Sequence, residues 1–96
     1  LRAPMVGHLG DGNFHVLLPF DPKKKETYAK IREFNDLLIK KALKLNGTIT
    51  GEHGVGLHKK EYLLEQHPDN IPIMKSIKRT LDPNSIMNPG KIFDLN

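Results

Sequence analysis

Gly7-His8-Leu9-Gly10-Asp11-Gly12-Asn13-Phe14-His15 lies between two apolar runs, Pro4-Met5-Val6 before it and Val16-Leu17-Leu18-Pro19-Phe20 after it. Asp-Gly between apolar runs is a hairpin signal, because glycine supplies the positive φ of a tight turn. The pattern predicts two antiparallel strands with Asp11 and Gly12 at or near the turn. It places His8 and His15 on neighbouring strands, a few residues from the tip. If both imidazoles face the same side, they converge, since opposed residues lie about 5 Å apart.

Outward from the hairpin, Asp21-Pro22 punctuates the chain. Tyr28, Ile31, Phe34, Leu38, Ala42 and Leu45 recur every three or four residues and predict a helix over Glu26 to Leu45. Asn46-Gly47 is its expected C-terminal cap. Thr48-Ile49-Thr50 reads as a short β-branched strand. It runs into a second glycine-rich segment, Gly51-Glu52-His53-Gly54-Val55-Gly56. A short helix is expected over Lys59 to Gln66. Another starts near Asn70, packs Ile73, Met74, Ile77 and Leu81, and stops at Asp82-Pro83. The tail from Asn84 to Asn96 reads as an ordered loop or short strand. The order β-β-α-β-α-α-tail predicts an α+β fold, an antiparallel sheet with helices on one face.

The chain has 96 residues, room for one small domain at most. It lacks cysteine, so it has no disulfide and no thiolate chemistry; that fits the cytosol. No apolar run approaches the ~20 residues of a membrane span. Leu1-Arg2-Ala3-Pro4 has neither a charged leader nor an apolar core, and it resembles the end of a strand. With several irregular glycine segments the core is thin, and the chain reads as a piece that leans on a partner domain. The net charge is +4, from 15 Lys+Arg against 11 Asp+Glu. The lysines fall mostly on helical stretches, and the few aromatics do not interleave with them as a stacking platform would. A solvated helix face accounts for them, and no nucleic-acid partner is expected.

The two glycine segments together hold His8, His15, His53, Asp11 and Glu52. Two histidines and a carboxylate with open positions form a recurring catalytic metal pattern. In a regular strand Glu52 and His53 would point to opposite faces unless the glycines bend the chain. One could then bind a metal while the other reaches a substrate. The plainer alternatives stand beside this: histidines that are solvated or hydrogen-bonded, Asp11 and Asn13 as turn residues, and a bulge at Gly51, Gly54 and Gly56. The second segment lacks the Lys-Ser/Thr ending of a phosphate-binding P-loop. His58 and His67 are assigned to the surface. Phe14 and Val16 face a core or an interface.

Gly-His-Leu-Gly-Asp-Gly-Asn-Phe-His, then Gly-Glu-His-Gly-Val-Gly, then Leu81-Asp82-Pro83 and Met87-Asn88-Pro89-Gly90-Lys91-Ile92 occur in this order. Over nearly the whole chain this resembles the C-terminal end of the FAD-linked oxidases, a family with D-lactate dehydrogenases, the glycolate oxidase FAD subunit and D-2-hydroxyglutarate dehydrogenase. The resemblance implies that residues 1–96 are the C-terminal portion of a ferredoxin-like cap domain, with FAD bound mainly by an N-terminal domain. It implies a divalent ion, often zinc, on His8, His15 and Glu52. It makes His53 the catalytic base, and Asn88 and Lys91 the cofactor-binding residues of a closing segment. A polar substrate contact of D-2-hydroxyglutarate dehydrogenase is replaced here by Leu17, which argues against that substrate.

The expected activity is therefore that of a flavin-dependent 2-hydroxy-acid dehydrogenase or oxidase, of D-lactate or glycolate type. This piece alone is expected to be inactive. Its expected partners are a small 2-hydroxy acid, an electron acceptor, and a second copy that hides exposed apolar surface. The expected location is the cytoplasm, with the periphery of a membrane as an option for the full-length protein. The competing readings are a stand-alone metal-binding module and a basic interaction domain.

Overall fold

The computed structural model describes residues 2–96; Leu1, read above with the end of a strand, lies outside the described residues. The elements in chain order are β1 (Met5–Val6), a 3₁₀ turn (Leu9–Asp11), β2 (His15–Val16), α1 (Lys25–Lys44), α2 (Lys60–Gln66) and α3 (Ile71–Leu81). The chain divides into two compact units, one up to Glu52 and one from His53 to Asn96.

In the first unit the hairpin forms, but its ladder is short. Met5 lies opposite Val16 and Val6 opposite His15, in antiparallel register. The Leu17 N–H donates to the Pro4 carbonyl at 2.9 Å. Pro4 has no N–H to extend the ladder, and Pro19 interrupts the other run. The expectation that His8 sits on a strand paired with His15 is corrected: His15 is on β2, whereas His8 lies beyond β1. Its N–H donates to Asn13 Oδ1 at 3.0 Å, and its carbonyl accepts from the Asp11 and Asn13 amides. Gly7 permits this departure, because a Cβ there would stand 2.5 Å from both the Asn13 carbonyl oxygen and Phe14 Cα. The tip is where the Asp11-Gly12 signal put it, with Gly12 left-handed at φ 76°.

Helix α1 carries Lys41 and Lys44 in its last turn, where cations complement the helix dipole. It ends as Asn46-Gly47 predicts. Asn46 is left-handed at φ 61°. The Asn46 N–H donates to the Leu43 carbonyl at 3.0 Å and the Gly47 N–H to the Ala42 carbonyl at 2.8 Å, a Schellman closure. Of the predicted stripe, Ile31, Phe34, Leu38 and Ala42 are half-buried, while Tyr28 and Leu45 are exposed. Ile39 is the buried residue of the helix. Tyr28 packs instead against the Phe20 ring, with centroids 5.8 Å apart.

The third strand expected at Thr48-Ile49-Thr50 does not form; among the described residues the sheet has two strands. Ile49 is buried, so this segment is held by its side chain and not by a ladder. The α+β class stands with that smaller sheet.

In the second unit Leu63 of α2 and Ile71 of α3 are buried. The face expected to pack through Ile73, Ile77 and Leu81 is exposed, and Met74 is half-buried. Asp82 ends α3 by competing for the chain's amides: its carboxylate accepts from the Ile86 and Met87 N–H groups, each at 3.0 Å, and from Lys78 Nζ. The tail forms no strand. Polar pins order it: Lys60 Nζ donates to the Gly90 carbonyl at 3.1 Å and to Asp94 at 2.8 Å. Lys78 donates to the Met87 carbonyl and Arg79 to that of Leu95. Ile92 sits at φ 72°, a left-handed conformation that costs an ordinary residue roughly 1–2 kcal/mol.

Two stability outcomes follow from these contacts. The Lys78 ammonium beside Asp82, with the two backbone amides, holds its carboxyl below the usual carboxylate range. A depressed folded value contributes stability that is present above the unfolded pKa of about 3.9 and lost as pH falls through the folded value. Asp82→Asn should therefore lower stability at neutral pH and flatten its decline below about pH 4 in melts across pH. Gly7→Ala should destabilise by about 1–3 kcal/mol in urea titration through overpacking, whereas Gly10→Ala, with open space at its Cβ, should not.

Candidate functional site

His15 and Glu52 stand 37 residues apart in sequence and meet in the first unit. His15 Nε2 donates to Glu52 Oε1 at 2.7 Å. A carboxylate only accepts, so the proton between them sits on Nε2. Both groups remain reachable by solvent, with side-chain exposures of 27% and 41%. Two features bring Glu52 here. Buried Ile49 anchors the segment after α1. Gly51 then passes close to Asn13, where a Cβ would meet the Asn13 Cβ at 3.1 Å.

Asn13 thus shapes the site from both sides, tying down His8 and flanking Gly51. Sequence reasoning assigned it only to a turn. The local signal for more was its place directly after left-handed Gly12.

Residues 51–53 form a bend and not a strand, so the alternation that would send Glu52 and His53 to opposite faces does not apply. His53 is the residue immediately beyond Glu52, where the first unit ends. Within the first unit an imidazole nitrogen and a carboxylate oxygen are thus held together by His15 and Glu52. His8, exposed on its loop, is not a member of that pair. Imidazole nitrogen and carboxylate oxygen are the donors that zinc and other first-row divalent ions take, so the pair fits such an ion.

Asn88 and Lys91 lie on the tail of the second unit, and both are exposed. Asn88 is left-handed at φ 44°. Its carbonyl accepts the Lys91 N–H at 3.4 Å, and Lys91 Nζ donates to the Pro89 carbonyl at 3.1 Å. His58 and His67 are exposed, as expected. Phe14 is exposed and Val16 half-buried. Phe14 lines an open apolar recess of about 740 Å³ with Met5, Val6, Gly7 and Leu9.

Comparison with known proteins reaches the same place as the motifs. The chain is 44% identical over 96 residues to a probable mitochondrial D-lactate dehydrogenase of Danio rerio, covering 99% of this chain and 19% of that protein. It is 46% identical over 90 residues to a D-2-hydroxyglutarate dehydrogenase of Stutzerimonas stutzeri, covering 91% of this chain and 19% of the relative. It is 42% identical over 88 residues to the glycolate oxidase subunit GlcD of Bacillus subtilis, again covering 91% and 19%. The chain thus spans about a fifth of the length of these relatives. No solved structure matches it. The family described as FAD linked oxidases, C-terminal domain, matches residues 1–92, and the chain belongs to that family.

Proposed function

We propose that this chain is the C-terminal portion of a flavin-dependent 2-hydroxy-acid dehydrogenase or oxidase, a fragment of a ferredoxin-like cap that closes over FAD and supplies metal and substrate groups. The observation that carries the reading is the convergence of His15 and Glu52 at 2.7 Å, inside motifs matched by the family. His8, His15 and Glu52 are the proposed ligands of a divalent ion such as zinc, and His53 is the proposed base. Asn88 and Lys91, exposed on the tail, are the proposed contacts to the flavin.

When bound, the flavin supplies the hydride acceptor and the ion supplies a Lewis acid for the substrate hydroxyl. The chain's own residues do the rest. His53 takes the hydroxyl proton on a ring nitrogen. His15 Nε2 cannot both donate to Glu52 and hold an ion, so a bound ion would require the ring proton to sit on Nδ1. Because a bound ion needs deprotonated ligands, metal affinity should weaken as pH falls, as titration of the chain with zinc would show.

The substrate class follows the relatives' names, which include D-lactate, glycolate and D-2-hydroxyglutarate enzymes at similar identity. Leu17, half-exposed after β2, favours a small substrate of D-lactate or glycolate type over a dicarboxylate. No helix among the described residues is long and apolar enough to cross a membrane. The reading places the full-length protein in the cytoplasm or at a membrane's periphery, although the Danio rerio relative is named mitochondrial.

Four substitutions in the intact protein test the site. His8→Ala, His15→Ala and Glu52→Ala should each lose bound metal and turnover together. His53→Ala should keep metal and flavin and lose about 10²–10⁴-fold in rate. Metal content and 2-hydroxy-acid turnover are the measurements. Equal metal loss in His53→Ala would make His53 a ligand.

The chain alone should show no turnover. It exposes Leu9, Leu81 and Ile86, each more than three-quarters accessible. Apolar surface left open in this way favours association, and a homodimer is the proposed result. Sedimentation at rising concentration should show it; a monomer throughout would remove it.

A further inference from the structure

We propose that Lys60 and the C-terminal tail form a latch that positions the loop carrying His53. The argument starts from that loop. Gly54 and Gly56 are both left-handed, at φ 77° and 54°. An added Cβ at either would meet nothing within 4 Å. Close packing therefore does not hold these two residues, and left-handed glycines are conformationally free.

The tail provides a hold. The Ile92 N–H donates to the Gly56 carbonyl at 2.8 Å, three residues after His53. Ile92 makes that bond from φ 72°, where a β-branched residue is an outlier. A strained residue persists only where its surroundings over-determine it. Lys60, the first residue of α2, supplies that determination on both sides of Ile92. Its ammonium binds the Gly90 carbonyl at 3.1 Å on one side and Asp94 at 2.8 Å on the other. Its side chain is three-quarters covered, whereas that of Asp94 is 69% exposed. Arg79 fixes the Leu95 carbonyl beyond. Lys60 is thus a positioning residue: it acts on His53 through Asp94, Ile92 and Gly56, and touches no reacting atom.

Its consequence for turnover rests on the reading of His53 as the base; the latch does not. The test uses NMR of the 96-residue chain and kinetics of the intact enzyme. In Lys60→Met, amide exchange at position 92 should speed up at least tenfold and the His53 ring resonances should shift, with exchange in α1 unchanged. Asp94→Asn, a change at an exposed tail residue outside the helices, should do the same to a smaller degree. Adding Ile92→Gly to Lys60→Met should restore part of the protection, because glycine holds the left-handed turn without strain. Unchanged exchange at position 92 in both single variants overturns the latch, as does a loss of protection spread evenly over α2 and α3. In the intact enzyme Lys60→Met should lower kcat with KM nearly unchanged. Faster exchange without that fall overturns the positioning role. Full turnover in His53→Ala overturns the base assignment instead, so the two failures are distinguishable.

Discussion

Scarcity of buried apolar surface is the constraint under which this chain folds. Among the described residues, Ile39, Ile49, Leu63 and Ile71 are the buried hydrophobic side chains. Burial of one such side chain contributes about 1.5–3 kcal/mol, little against the entropy of ordering the loops between them. Specific polar pins therefore decide where irregular segments go. Asp82 turns the chain out of α3, Asn13 shapes the glycine-rich loop of the first unit, and Lys60 holds the tail. Each pin is a side chain offering hydrogen bonds to backbone that has no ladder partner, and that is how the chain satisfies amides outside helices.

The same economy shapes the candidate site. His15 is positioned by a strand of two residues, and Glu52 by an anchored isoleucine followed by a glycine that slips past Asn13. The pair meets through a proton, with both partners open to solvent. An arrangement that keeps nitrogen and oxygen donors together while leaving them reachable suits exchange of that proton for a cation. Rigidity comes from backbone contacts that tolerate no Cβ, as at Gly7, and not from a packed core.

Much of the helical content was legible in the sequence because its signals are local. Spacing of Ile31, Phe34 and Leu38 marks α1; Asn46-Gly47 marks its end; Asp82-Pro83 marks the end of α3. The β content was less legible. Thr48-Ile49-Thr50 has strand propensity, but a strand needs a partner, and propensity does not provide one. The hairpin tip was readable from Asp11-Gly12, whereas the length of the ladder was not. It depended on Gly7 crossing Asn13 and Phe14, a contact made only in three dimensions.

Residue chemistry by itself determined which groups could serve the site: His8, His15, Glu52 and His53 were nominated by type and by their glycine-rich surroundings, and the ordered motifs pointed to the family that matches the chain. Tertiary structure decided which of them meet. It joined His15 to Glu52 and left His8 on its loop outside that pair. It also turned Ile73, Ile77 and Leu81 from an expected core stripe into an exposed face. The physical reason is common to both outcomes. Periodicity and residue type report what a side chain can do, while proximity and burial depend on where distant backbone runs, and here that was set by a few glycines and polar pins.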